Sequence, residues 1–280
     1  MKKILLTGCN GQLGRALQTE YKAEDAMLIC TDVKELDISD HAQVMQYVRK
    51  LEPDVIINCA AYTAVDACEK EWDLAYRINA IGARNLAIAS REAGAKLVHI
   101  STDYVFAGNA AQPYTEFDEP QPVNAYGRTK LAGEHFVQQF ADRYFILRTA
   151  WLYGEGNNFV RTMLRLSERH DEVRVVNDQI GSPTSAAELA KVVHLLEPTD
   201  NYGLFHATCE GSCSWADFAS EIFRLTGKTT TVHAITTEEY GSPTKRPAYS
   251  VLDNEMLRLT TDYRMADWQT ALEEYLGEHL

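Results

Sequence analysis

The sequence lacks any apolar stretch near the roughly 18–20 residues needed to cross a bilayer. It also lacks the charged, apolar and cleavable layout of a secretory leader, because a strand-like pattern begins at Lys3. Both absences point to a cytoplasmic protein. Positive charge is scarce: 27 Lys and Arg stand against 40 Asp and Glu, a formal net charge of −13. That balance excludes nucleic acid as the main partner, although a local basic cluster or a helix N-terminus can still hold an anion. Metal-ligand spacing is absent as well. The eight histidines show none, and of the six cysteines only Cys209 and Cys213 lie close, with no second pair beside them. Free thiols in a reducing compartment follow, with Cys30 and Cys59 as small core residues. No repeat, low-complexity segment or flexible linker interrupts the 280 residues.

What is present is alternation. Apolar runs at Lys3–Thr7, Ala26–Thr31, Asp54–Cys59, Lys96–Ser101 and Tyr144–Arg148 predict strands. Between them, Gln12–Tyr21, Asp40–Leu51, Trp72–Ala93 and Tyr126–Phe140 predict amphipathic helices. Strands alternating with helices mean an α/β fold: a doubly wound parallel sheet of the Rossmann type, covered on both faces. After Arg148 the texture changes. Val173–Val176 and Leu204–Ala207 read as strands, and Ala186–Leu196, Ser214–Thr226 and Trp268–Gly277 as helices, punctuated by prolines at 183, 198, 243 and 247. We expect a nucleotide-binding lobe over 1–150 and a smaller, mainly substrate-binding lobe over 151–280. The latter closes on the carboxyl edge of the sheet, where such folds bind ligands.

Three elements carry chemistry. The first is Gly8-Cys9-Asn10-Gly11-Gln12-Leu13-Gly14, behind the first strand and opening the first helix. Glycine allows the tight turn and close approach of backbone to a pyrophosphate, and the helix N-terminus offers N–H groups to phosphate. Gly8, Asn10, Gly11, Gln12, Leu13 and Gly14 are therefore the expected cofactor cradle. Asp32, 18 residues after Gly14, suits the adenosine ribose hydroxyls. It would repel a 2′-phosphate, and Lys34 could offset that, so NADH and NADPH both remain open. Asp37 and Ile38 are expected against the adenine. Ala60, Ala61 and Tyr62 are expected beneath the ribose and nicotinamide, and Asn79 is grouped with them.

The second and third elements are Ser101-Thr102-Asp103-Tyr104, at a strand end, and Tyr126-Gly127-Arg128-Thr129-Lys130. Four residues apart on a helix, Tyr126 and Lys130 share one face. Reduction of a ketone needs hydride at carbon and a proton at oxygen. Tyr126 is the candidate proton donor. Lys130 would favour its phenolate and bond the nicotinamide ribose, and the Thr102 hydroxyl would hold the substrate oxygen. Val65, Trp151, Asn158 and Gln179 are candidate substrate contacts. Arg246 is the candidate for a substrate phosphate, since a guanidinium pairs two oxygens at once.

These residues together resemble the extended short-chain dehydrogenase/reductase superfamily and, within it, the dTDP-4-dehydrorhamnose reductase family. The most specific strings are Ser101–Phe106 and Asp178-Gln179-Ile180-Gly181-Ser182-Pro183-Thr184, and Arg148–Gly154 also carries the likeness. The resemblance covers nearly the whole chain. It implies NAD(P)H, a 4-keto-6-deoxy sugar on thymidine diphosphate, Thr102, Tyr126 and Lys130 as the catalytic set, and Asp103 and Trp151 near the sugar. It also implies a discontinuous boundary, with parts of 170–210 returning to the nucleotide-binding lobe. Some members dimerise around magnesium held partly by a carboxylate on the first helix. Ala16 stands at that position here, so a monomer or a metal-free homodimer is expected, with no metal site. Two relatives of the superfamily offer other functions: a non-catalytic regulatory subunit of methionine adenosyltransferase, and a nucleotide-sugar epimerase. The intact Thr102, Tyr126 and Lys130 favour an enzyme, and the Asp178–Thr184 string favours a reductase.

Overall fold

The computed structural model describes residues 1–23 and 26–279. Its central sheet holds six strands: β1 (Lys2–Thr7), β2 (Ala26–Thr31), β3 (Val55–Asn58), β4 (Lys96–Thr102), β5 (Tyr144–Thr149) and β6 (Gly203–His206). The spatial order is β6-β5-β4-β3-β1-β2, and every pairing is parallel. Because β1 pairs with β2 on one side and β3 on the other, the winding reverses between β1 and β3. Connections diverge there, and a crevice opens beyond the strand ends.

Helices α1 (Gln12–Glu20), α2 (His41–Leu51), α3 (Ala83–Ala93), α4 (Ala125–Phe140) and α5 (Ala186–Leu196) cover the sheet. The pleat sends successive side chains to opposite faces. Thus Ile4, Leu6, Val55 and Ile57 meet Leu13 and Leu17 of α1 and Leu189 and Val193 of α5. Leu5, Ile56, Leu97 and Ile146 meet Val44, Leu86 and Val137 of α2, α3 and α4. With both faces buried, the central strands β1 and β3 to β5 are mostly apolar rather than alternating; the edge strand β2 leaves Met27 and Cys30 exposed, so Cys30 is not the core residue expected. Helix ends follow local chemistry. The Asp40 carboxylate accepts from Gln43 N–H to start α2, and Asn124 accepts from Gly127 N–H at 2.8 Å to start α4.

One element differs from the sequence expectation, and another follows the expected return of 170–210 to the first lobe. The stretch Trp72–Ala93 is helical, but Arg77–Gly82 widens into a π-helical turn. The run expected as Leu204–Ala207 forms β6 at the sheet edge beside β5, and α5 packs against α1, so this part of the second half belongs to the central sheet. The remaining second lobe gathers α6 (Trp215–Leu225) and α7 (Trp268–His279) around Val173, Val175, Phe218, Ile222 and Leu272. Among the described residues no helix is long and apolar enough to cross a membrane.

Candidate active site

A cleft of about 610 Å³ lies between the carboxyl edge of the sheet and the second lobe. The glycine turn forms one wall. Gly8 has φ +68°, and a Cβ there would sit 2.6 Å from the backbone nitrogen of Ala60. The loops leaving β1 and β3 therefore touch backbone to backbone. Beneath them Thr7 and Asn58, paired across the two strands, hydrogen-bond at 2.8 Å. No side chain caps the start of α1 at Gly11, which suits that terminus to an anion. Asp32 sits against the turn, accepting from Asn10 N–H at 3.2 Å and Val33 N–H at 2.8 Å.

Some expected cofactor residues have other employment. Asn79 is buried and does not line the cleft. Its side-chain oxygen accepts from Tyr62 N–H at 2.8 Å, and its nitrogen donates to Tyr62 O and Thr129 Oγ1, both at 3.0 Å. It is a brace that fixes the loop after β3 against α4. Ile38 is packed into the core between sheet and helices, and Asp37 accepts from the N–H and hydroxyl of Ser39. Ala61 lines the cleft, whereas Ala60 is tied down by its N–H to Asn58.

The catalytic candidates converge. Thr102 ends β4, and its hydroxyl accepts from Tyr104 N–H at 3.2 Å and donates to Asp103 Oδ1 at 2.9 Å. Tyr126 and Lys130 face the cleft from α4. The helix reaches this position because Gly133 passes close to the π turn: a Cβ there would lie 2.4 Å from the Asn79 carbonyl oxygen. The Lys130 ammonium donates to Ile100 O at 2.6 Å. Burial pulls it down to about 8, against the charge of Glu134. Burial, then the Asp103 charge, pushes the Tyr126 phenol well up, while the neighbouring Thr102 hydroxyl opposes both. Tyr126 is thus held in its protonated form. Burial also raises Asp103, to about 6, although Ser250 and Thr102 bond it, and its Oδ2 has no protein partner.

From the second lobe, Trp151 adopts φ +47°, a left-handed conformation that a large side chain rarely takes. Its ring stacks on Trp215 with centroids 3.5 Å apart and planes 8° from parallel. Gly181 lies behind it, where a Cβ would meet the indole at 2.5 Å. Trp215 lines the cleft, yet no motif marks it in the sequence. Arg246 reaches the cleft from the other side, 3.2 Å from each Asp66 carboxylate oxygen, with its Nε buried and unpartnered. Val65 lines the cleft too. Asn158 does not. It caps the helix Phe159–Ser167 through Arg161 N–H and donates to Gly154 O at 2.6 Å, leaving Asn157 as the cleft-lining neighbour. Gln179 is buried, donates to Thr237 Oγ1 at 3.0 Å and lies outside the cleft lining. Arg15, which the motifs also passed over, donates to Asn10 O and pairs with Glu155 across the cleft mouth.

A family model described as the RmlD substrate binding domain matches residues 1–280. The chain belongs to this family. It is 44% identical to the spore coat polysaccharide biosynthesis protein SpsK of Bacillus subtilis, over 99% of this chain and 98% of that protein. It is 40% identical to the dTDP-4-dehydrorhamnose reductase of Escherichia coli, over 98% and 97%. Among solved structures, a dTDP-4-dehydrorhamnose reductase from Clostridium acetobutylicum superposes with TM-score 0.98 at 55% identity, covering 99% of both chains. One from Bacillus anthracis, in complex with NADP, superposes with TM-score 0.97 at 49% identity, covering 99% of this chain and all of that one. With this fold and these relatives, the protein is a reductase of the short-chain dehydrogenase/reductase type.

Proposed function

We propose that this protein reduces the 4-keto group of dTDP-4-dehydro-L-rhamnose (dTDP-6-deoxy-L-lyxo-4-hexulose) to give dTDP-L-rhamnose, with Tyr126 as the proton donor. The observation that carries this reading is the meeting of Thr102, Tyr126 and Lys130 with the glycine turn in one cleft, in a chain that spans the full length of its reductase relatives. When bound, NADPH or NADH supplies the hydride. The Gly8–Gly14 turn holds the pyrophosphate; at Gly8 and Gly14 the neighbouring backbone leaves no room for a side chain, which keeps the turn tight and the α1 N-terminus uncapped. Asp32 bonds the adenosine ribose, Ala61 forms the floor, and Lys130 bonds the nicotinamide ribose. Thr102 holds the ketone oxygen while Tyr126 protonates it, which contributes typically about 10²–10⁴-fold.

On the substrate side, Asp103, Val65 and Trp151 meet the sugar and Arg246 meets a phosphate. The asparagine role moves from Asn158 to Asn157. Residues 1–150, with parts of 170–210, form the cofactor lobe, and the rest of 151–280 mainly forms the substrate lobe. The protein works in the cytoplasm, consistent with six free thiols, as a monomer or metal-free homodimer. A steady-state assay with this sugar nucleotide and each cofactor tests the proposal. Stoichiometric cofactor oxidation supports it. Sugar scrambling without net oxidation would mean an epimerase, and tight dinucleotide binding without turnover a regulatory subunit.

A further inference from the structure

Helix α4 carries one more inward-facing charge in the same row as the candidate pair. Tyr126, Lys130 and Glu134 recur every four residues, so they stack on one face. Lys130 and Glu134 are each tied to a residue at the end of β4. Lys130 donates to Ile100 O, the Ser101 hydroxyl donates to Glu134 Oε1, and Tyr126 lines the cleft with Thr102. Glu134 is 1% exposed. From β5, Arg148 grips its carboxylate with two bonds, Nε to Oε1 at 3.0 Å and Nη2 to Oε2 at 2.7 Å. A buried carboxylate fixed at three points costs desolvation and adds little stability compared with an apolar replacement. Its place one turn beyond Lys130 calls for another explanation.

We propose that Glu134 is a positioning residue for Lys130, its fixed carboxylate keeping the buried ammonium charged and docked on Ile100, one turn from Tyr126. This deepens the reading of Tyr126 and Lys130 given above and rests on it. The other groups facing Lys130 are Cys59 from the loop after β3, His99 of β4 and Tyr126 of α4. Burial raises Cys59 and Tyr126 and lowers His99, so all three are neutral at pH 7. Arg148 lies beyond Glu134 and is bound to it. Glu134 is therefore the anion nearest to hand for the ammonium, and its charge opposes the loss of that proton.

The test is the pH dependence of kcat and of NADPH affinity in Glu134→Gln, Glu134→Asp and the double variant Glu134→Gln/Arg148→Met. The double variant removes both charges and avoids an unpaired buried guanidinium that could block folding. The expected result is an alkaline limb about one pH unit lower in both Gln-containing proteins. At pH 8, with the wild-type group at about 8, that is about a five- to sixfold loss of turnover, with NADPH affinity weakened in parallel. Activity near pH 6.5 should lie within about threefold of wild type, and Glu134→Asp should restore most of the alkaline limb. A purely structural Glu134 would lower activity equally at all pH values. An unmoved limb in the double variant, with Tyr126→Phe inactive, overturns this proposal and leaves the catalytic assignment standing. A fully active Tyr126→Phe overturns the assignment itself.

Discussion

Replacing Gly133 by alanine should damage both stability and catalysis, although alanine is the better helix former. The new methyl carbon would lie 2.4 Å from the Asn79 carbonyl oxygen, about 1 Å inside ordinary van der Waals contact. A backbone carbonyl in a helical turn cannot swing aside as a side chain can, so α4 must retreat. Overpacking of this kind costs about 1–3 kcal/mol, and the rigid neighbour argues for the upper end. Helix propensity returns about 1 kcal/mol. The expected net loss is about 2 kcal/mol, or a fall in Tm of roughly 4–8 °C for a chain of this size. Because α4 carries Tyr126 and Lys130, the retreat also displaces the proposed proton donor. A misplacement of about 1 Å can cost on the order of 10²-fold in rate. Gly277 in α7 is the control, since a Cβ there meets nothing within 4 Å. Gly277→Ala should stabilise by about 0.5–1 kcal/mol and leave kcat/KM unchanged. Thermal unfolding and steady-state kinetics on the two variants decide the matter. A Gly133→Ala protein as stable and as active as wild type would refute the close-packing argument.

Tyr126→Phe should lose about 10²–10⁴-fold in turnover while cofactor fluorescence titration stays normal, because it removes a proton and little volume. Arg246→Ala should raise the KM for the sugar nucleotide by roughly 10–100-fold with little change in NADPH affinity. A collapse of cofactor binding instead would move Arg246 out of the substrate site. Asp103→Asn should stabilise the fold at pH 8 but not at pH 4. Burial raises the folded carboxyl to about 6, above its unfolded value, so ionising it costs the native state as pH climbs through that window. The gain should be about 2–3 kcal/mol in urea melts at pH 8, and equal melts at both pH values would contradict it. Turnover should persist in EDTA, and loss restored by magnesium would reveal a metal requirement.

The sheet was legible because its central strands are buried on both faces and read as mostly apolar runs. The shared face of Tyr126 and Lys130 in the cleft was legible because helix periodicity puts them together whatever else the chain does. Polar residues inside recognisable strings were harder to assign. Asn79, Asn158 and Gln179 carry groups equally suited to a ligand and to backbone. In the fold Asn79 braces the Tyr62 loop, Asn158 caps a helix and Gln179 bonds Thr237. Sequence alone cannot separate those uses, since the deciding partner lies far along the chain. Trp215 was missed for the converse reason. It stands where a helix begins, with no motif around it, and acquires meaning only when Trp151 arrives from β5. The π turn at Arg77–Gly82 leaves no mark in periodicity. Within it the Asn79 carbonyl lies against Gly133, 54 positions away in the numbering.

The parallel indoles of Trp151 and Trp215 have an optical consequence. At 3.5 Å and 8° their transition dipoles couple strongly, so the pair should absorb and emit as one chromophore unlike the separate Trp72 and Trp268. One indole comes from the segment after β5 and the other from α6, so sliding one past the other changes the coupling at once. Near-ultraviolet circular dichroism would register that slippage directly, without a label. The second lobe thereby contains its own gauge of how tightly the segment after β5 is joined to α6.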